Sequence, residues 1–387
     1  MKTLKTILFL LLFPSVGFAG EHDIPDMPTY LAEYAELYKE DPRAANLEWF
    51  KNAEYGLFLH YGLYALLEKG EWVQLTNKPE PVPVAEYAEL ASQFTAEQFD
   101  AEFITDFVLK AGMKYINITA KHHDGFSLYD TELSYFNSVD TAAGRDLIAE
   151  LYEACERKGI ALFLYYSYAV DWKHPYALSN VDGWKWARPA YEEPQFEYLF
   201  RKDEDFKKYL EFADGQVKEL LTKFPNIAGL WFDPIMGYYA RPDLFHMDET
   251  YAMIREISPH ALISFKQGAT GNEDFIAPER HMVNLVERVT KEFGERSASV
   301  AESAWNANQD KPREICDTMQ PRAWGYNKSK DGQHLTADQV MEKLEAAREA
   351  GANLLLNIGP MPDGSFPQED IDALLEVGER LIQRSSD

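Results

Sequence analysis

Gly229-Leu230-Trp231-Phe232-Asp233 is the stretch on which the reading of this chain turns. It closes an apolar run from Ile227 to Phe232 that is too short for a helix and is bounded by Pro225-Asn226 and Pro234, as expected of a buried parallel strand. A carboxylate at the C-terminal end of such a strand is costly to desolvate unless it faces a polar cleft. In a parallel α/β barrel that end is the face on which active sites are built, so Asp233 reads as catalytic. An isolated Asp that starts a loop or caps the next helix is the competing reading. The other strand ends decide between the two.

Outward from this strand the chain alternates. Tyr55–Gly62 (YGLFLHYG), Tyr115–Ala120 (YINITA) and Ala161–Ser167 (ALFLYYS) read as strands before it, and Ala261–Phe265, Arg313–Met319 and Asn353–Ile358 (NLLLNI) as strands after it. Helical periodicity lies between them at Thr95–Gly112, Leu147–Lys158, Phe206–Phe224, Met247–Ile257 and Ala337–Ala350, with a final helix from Gln368 to Ile382. Such alternation predicts a parallel sheet, and the numbers suit an α/β fold of the (β/α)8 TIM type, with room for irregular members. A doubly wound open sheet is the alternative. No GxGxxG follows a strand and no GxxxxGK[ST] occurs, which disfavours a nucleotide fold. Without repeats, low-complexity tracts or a linker, residues 20–387 read as one catalytic domain.

Residues 1–19 read as a leader. Lys2 and Lys5 form a basic start, Ile7 to Leu12 an apolar run, and Gly17-Phe18-Ala19 a small-residue cleavage pattern, so a secretory signal peptide cut before Gly20 is expected. That implies a secreted or periplasmic protein. No other stretch is long and apolar enough to span a bilayer. The formal charge of −26 becomes −28 once the two leader lysines are gone, which argues against nucleic acid and anionic membranes as partners. A neutral sugar fits more easily, and 22 Tyr and 8 Trp supply flat rings for it. Cys155 and Cys316 fall in an apparent helix and an apparent strand and read as two buried thiols. There is no CxxC or HExxH, and nothing here calls for a metal.

Several strands end in chemistry. His60 and Tyr61 follow the first, Lys121, His122 and His123 the second, Tyr165 and Tyr166 the third, Asp233 the fourth and Lys266 the fifth. A lone His is most often a satisfied core residue. Three at adjacent strand ends suit hydroxyl recognition, donating from one ring nitrogen and accepting at the other. Rings, such donors and carboxylates together describe a glycosidase, which needs two carboxyl groups flanking the sugar. Asp233 is one. Glu279, after Pro278, is the chosen partner, with Glu71 and Glu314 as rivals.

Tyr55–Tyr64 (YGLFLHYGLY), Glu71-Trp72, Thr119–Phe126 (TAKHHDGF), Tyr165-Tyr166-Ser167, Trp231-Phe232-Asp233, Ala323–Asn327 (AWGYN) and Asn353–Pro360 (NLLLNIGP) resemble glycoside hydrolase family 29, the retaining α-L-fucosidases. The resemblance covers nearly all of the mature chain but lacks the family's usual C-terminal β-sandwich. It implies that Asp233 is the nucleophile and that His60, His122 and His123 hold fucose hydroxyls. Glu71 and Trp72 would line the pocket, Trp231 and Lys266 belong to the site, and Trp324 packs near the sugar methyl. Glu279 is the implied acid/base, with Glu314 second. One of Tyr165 and Tyr166 faces inward, and Tyr166 is the expectation. Asp233 should rest ionised and Glu279 protonated. No cofactor is implied, and the partner is a fucosylated oligosaccharide or glycoconjugate. The short form with SFKQG and PE is more similar to the branch that cleaves branched α-1,3/1,4-fucosides. A related activity on another L-sugar such as α-L-galactose, and a non-catalytic sugar-binding barrel, are the alternatives.

Overall fold

The computed structural model describes residues 27–75, 78, 80–189, 198–281 and 283–386; the leader and its cleavage point lie outside them. Among these residues seven strands run parallel: β1 (Tyr55–Leu59), β2 (Tyr115–Lys121), β3 (Ala161–Ser167), β4 (Gly229–Asp233), β5 (Leu262–Ser264), β6 (Arg313–Thr318) and β7 (Ala352–Ile358). Their order is β5-β4-β3-β2-β1-β7-β6, so β1 to β5 each join their predecessor, β7 pairs with both β1 and β6, and β5 and β6 are left as the two edges. Every residue of β1 to β5 is buried, because each strand has the barrel interior on one face and helices on the other.

The gap between β5 and β6 is filled by the segment that carries Glu279. Asp274 N donates to Ile263 O and Ala277 N to Lys266 O on one side. On the other, Ile276 N donates to Pro312 O, while Glu314 N and Cys316 N donate to Ile276 O and Pro278 O. Residues 274–280 therefore act as an irregular eighth stave that closes the ring. Pro278 has no N–H to offer a ladder, which is why the segment reads as a loop in sequence.

Helices on the outside connect the strands. The stretch expected to be helical from Thr95 begins instead at Ala101, and the helix spans Ala101–Lys110. Its cap is Asp100, whose carboxylate accepts from Glu102 N (2.9 Å) and Phe103 N (3.1 Å). Thr95 and Glu97 bond to each other a turn too early. The last helix, Gln368–Ser386, packs beside Ala337–Glu349 and Ala101–Lys110, completing the outer layer.

The barrel interior is continuous with its N-terminal lead. Phe50 packs on Phe275 (ring centroids 4.3 Å), Phe163 (5.7 Å) and Tyr115 (6.1 Å), and Asn46 Nδ2 donates to the carbonyls of Ala228 and His260. Residues 29–51 thus plug the end of the barrel where the strands begin. The other end is left for the site. Cys155 and Cys316 are buried free thiols, as expected.

Candidate active site

Asp233 ends β4 at the barrel mouth, and the parallel register fixes its neighbours. Tyr165 pairs with Trp231 and Ser167 with Asp233, so these four side chains share the inner face. Tyr165 Oη donates to Asp233 Oδ2 at 2.9 Å. Tyr166 points the other way and donates to Gln216 Oε1 (2.9 Å) on the helix Phe206–Lys223. The inward residue is therefore Tyr165 and the expectation of Tyr166 is corrected. Two adjacent tyrosines carry no alternation of their own, and only the register with Asp233 separates them.

Lys266 ties the two candidate carboxylates together. Its Nζ lies 3.4 Å from Asp233 Oδ1 and 2.5 Å from Glu279 Oε1. These oxygens are thus at most 5.9 Å apart, the 3.4 and 2.5 Å legs laid end to end. Lys266 sits just past β5 with φ +52°, a left-handed turn that is uncommon for a residue with a side chain. Its ammonium lies over the Trp231 ring, 4.4 Å from the centroid.

Burial pushes the Asp233 carboxyl up to about 6 despite the nearby Lys266, and the Glu279 charge adds to the rise. Desolvation also acts on Glu279, but the charge and hydrogen bond of Lys266 outweigh it and hold that carboxyl below its ordinary value. The side chain of Glu279 is 46% exposed at the cleft mouth, against 12% for Asp233. In the free protein the more readily protonated member is Asp233. This reverses the expected order, because Lys266 grips Glu279 more closely than Asp233.

Glu314 lies deeper. It accepts from Trp231 Nε1 (2.9 Å) and Tyr115 Oη (2.6 Å), and burial raises its carboxyl to about 7 against both bonds. It is a strut inside the barrel beneath Trp231, away from the residues that line the cleft. Glu71 is also buried, and accepts from Trp324 N (3.0 Å) and Gly325 N (2.9 Å). It positions the loop that presents Trp324, whose ring lies 5.1 Å from that of His60.

The three histidines stand together behind Asp233, with ring centroids 5.5 Å apart for His60 and His122 and 4.1 Å for His122 and His123. Desolvation lowers the pKa of all three, His60 to about 3, so they are neutral. Asn357 Nδ2 donates to Trp324 O (2.8 Å), which turns Oδ1 toward His60 Nδ1 at 2.7 Å. Ser167 Oγ donates to Val170 O, so it accepts from His123 Nδ1 at 2.6 Å. Both rings then carry hydrogen on Nδ1 and present Nε2 as an acceptor. His123 Nε2 is 3.7 Å from Asp233 Oδ2. His122 Nδ1 is buried without a partner.

A bulge in β2 between Thr119 and Lys121 sets up this group. It turns Lys121 out of the barrel, where it is fully buried, pairs with Asp171 Oδ2 at 2.9 Å and lies over the Tyr166 ring. Lys121 therefore supports the site from behind. Trp72 packs on His123 (5.0 Å) and leads to Trp186 (5.8 Å). The open cleft, about 610 Å³, is lined by Trp72, Trp184, Trp186, Asp233, Lys266 and Glu279, with Arg280, His281 and Arg288 toward the outside. Ser167, Asn357, Trp184 and Trp186 are the participants given no role in sequence. Asn357 and Ser167 are polar residues at the C-terminal ends of buried strands, the same pattern that singled out Asp233. Trp184 and Trp186 sit in an irregular loop and carry no such pattern.

Cleaving a glycosidic bond takes two carboxyl groups a few ångströms apart with rings for the sugar to pack on, and this rim of a parallel barrel supplies both, in the manner of a glycoside hydrolase. Similarity to known proteins narrows the class. The family profile described as Alpha-L-fucosidase matches residues 29–385, and the chain belongs to that family. Tissue alpha-L-fucosidase of Rattus norvegicus is 28% identical over 399 residues, covering 97% of this chain and 74% of that protein. Among solved structures, alpha-L-fucosidase isoenzyme 1 from Paenibacillus thiaminolyticus superposes with a TM-score of 0.69 at 30% identity, over 88% of this chain and 76% of that one. AlfC from Lactobacillus casei in complex with α-L-fucose product gives 0.69 at 27% identity, over 88% and 99%.

Proposed function

We propose that this protein is an exported exo-α-L-fucosidase that removes terminal α-L-fucosyl residues from glycans with retention of configuration. The observation that carries retention is the Lys266 bridge. An upper bound of 5.9 Å between Asp233 Oδ1 and Glu279 Oε1 falls near the roughly 5–5.5 Å of retaining enzymes and short of the roughly 6.5–9.5 Å that leave room for a water. Asp233 attacks the anomeric carbon and the glycosidic oxygen leaves with a proton from Glu279. Glu279 then takes a proton from water, which displaces Asp233 from the covalent fucosyl-enzyme.

Glu279 needs a proton for the first step, and in the free protein Lys266 opposes it. Substrate seated between the carboxyls draws Lys266 toward Asp233, which keeps the nucleophile ionised and frees Glu279 to act as acid. Nε2 of His60 and His123 accepts from sugar hydroxyls, His122 adds a third contact, and Trp324 and Trp231 face the methyl side. Trp184, Trp186, Arg280, His281, Val283 and Arg288 leave space beyond the fucose for a branched aglycone such as an α-1,3/1,4-fucoside. The basic-apolar leader carries the proposal of export, and N-terminal sequencing of the mature protein should begin at Gly20.

The test is hydrolysis of an aryl α-L-fucoside, an aryl α-L-galactoside and a branched Lewis-type oligosaccharide, with the first anomer released followed by NMR. Fucose should appear first as the α anomer, and Asp233→Ala should lower kcat/KM by about 10⁴-fold or more. First release of the β anomer would sink the double displacement. Preference for the galactoside would reassign the sugar. Fucoside binding without turnover, unchanged in Asp233→Ala, would leave a binding barrel.

A further inference from the structure

The loop that presents Trp324 continues through Tyr326 and residues 328–334, which bond to the start of the last helix, Gln368–Ser386, and none of which line the carboxylate cleft. There His334 is 8% exposed, and its Nδ1 lies 2.6 Å from Oδ1 of Asp370, which is fully buried. Its Nε2 is buried and makes no hydrogen bond, although Glu369 Oε1 is 3.4 Å away. Asp331, His334 and Glu369 each present a potential ligand atom, and the three atoms lie within 4.8 Å of one another. Among the described residues no other three such side chains bring their ligand atoms this close together. Both carboxylates are themselves held. Tyr326 Oη donates to Asp331 Oδ2 (3.1 Å) and Gly332 N to Glu369 Oε1 (3.0 Å).

We propose that Asp331, His334 and Glu369 form a binding site for one divalent transition-metal ion of the Zn²⁺ or Mn²⁺ type. A carboxylate on Nδ1 fixes the tautomer that leaves Nε2 as a lone-pair donor, and a histidine–carboxylate pair of this kind is a recurrent support for a ligating imidazole. One nitrogen and two carboxylate oxygens suit Zn²⁺ or Mn²⁺ better than the all-oxygen preference of Ca²⁺ or Mg²⁺. Asp331 is exposed and Glu369 half-buried, so water has access to the remaining coordination positions. The ion would clamp the Trp324 loop to the last helix. It takes no part in the chemistry proposed at Asp233 and does not depend on it. The competing occupant of Nε2 is a proton, which would make the group a simple ion pair between His334 and Glu369.

The full chain, stripped by chelator and dialysed, is titrated with ZnCl₂, MnCl₂ and CaCl₂ by calorimetry, and Tm is measured with and without each ion. Zn²⁺ or Mn²⁺ should bind at about one per chain and raise Tm by a few degrees. Asp331→Asn and Glu369→Gln, at accessible positions, should each weaken binding by about tenfold or more, and Asp370→Asn by about 10- to 100-fold. The site is overturned if neither Zn²⁺ nor Mn²⁺ binds or shifts Tm, if they bind wild type and Glu369→Gln equally, or if Ca²⁺ binds in preference to both.

Discussion

At the scale of single residues, the paired tyrosines offer a sharp comparison. Tyr165→Phe removes a 2.9 Å hydrogen bond to the proposed nucleophile and should lower kcat/KM by about 10- to 100-fold with little change in Tm. Tyr166→Phe removes the bond to Gln216 and should cost about 1 kcal/mol of stability while leaving kcat/KM unchanged, read by denaturation and kinetics side by side. Equal kinetic effects would mean that the inner face is assigned wrongly. Lys266 sets the pH profile. With Asp233 at about 6 and Glu279 held below its ordinary value, the singly protonated pair that the chemistry needs is lost as pH rises through about 6, so kcat/KM should fall on that side. Lys266→Met removes the charge that lowers both carboxyls, so this limb of kcat/KM should move to higher pH. Residues whose type alone suggests chemistry, such as Asp233, His60, His122 and His123, were legible in the chain. Their protonation was not, because it depends on how deeply each histidine is buried and how closely Lys266 approaches each carboxylate, matters of ångströms that spacing does not encode.

At the scale of elements, strand and helix order was legible because apolar runs and helical periodicity are local. The eighth stave was not. Residues 274–280 join both neighbours through scattered hydrogen bonds, and Pro278 removes the regular pattern that marks a strand. The helix start at Asp100 was missed for a related reason, since Thr95 and Glu97 offer a capping pattern that is used within a turn instead. Gly229 shows how tightly β4 is held. A Cβ there would come within 2.2 Å of Leu262 O and 2.9 Å of the Phe163 ring, so β4 and β5 can pair only around a glycine. Gly229→Ala should destabilise by several kcal/mol, beyond the usual range of single substitutions. A Tm within a degree or two of wild type would show that the strands can separate without loss.

At the scale of the whole molecule, buried titrating groups oppose one another and set a stability maximum. His60 is held at about 3 and His174 and His260 at about 4, below the roughly 6.5 of an unfolded histidine. The unfolded chain therefore binds more protons in that window, and stability falls as pH drops from about 6.5 toward 4. Asp124 and Glu314 are raised to about 7 by burial, so between about 4 and 7 the native state holds protons that the unfolded chain has lost; their contribution declines as pH rises across that window, opposing the histidines up to about 6.5, and is gone above 7. Denaturant midpoints should peak near pH 6 to 6.5, and Glu314→Gln should flatten the alkaline side. A midpoint that climbs steadily to pH 8 would contradict the burial of these two carboxyls. The plugged floor of the barrel has a practical consequence. Thr29 Oγ1 donates to Glu156 O near the C-terminal end of the helix Leu147–Lys158, so the described chain enters beside the floor. Arg384 lines a surface hollow with Lys51, Asn52 and Tyr55 at that same end. Both ends of the described chain thus emerge opposite the cleft. An enzyme immobilised on beads through either end would hold its mouth toward the bulk solution, where large glycoproteins could reach it without passing the support.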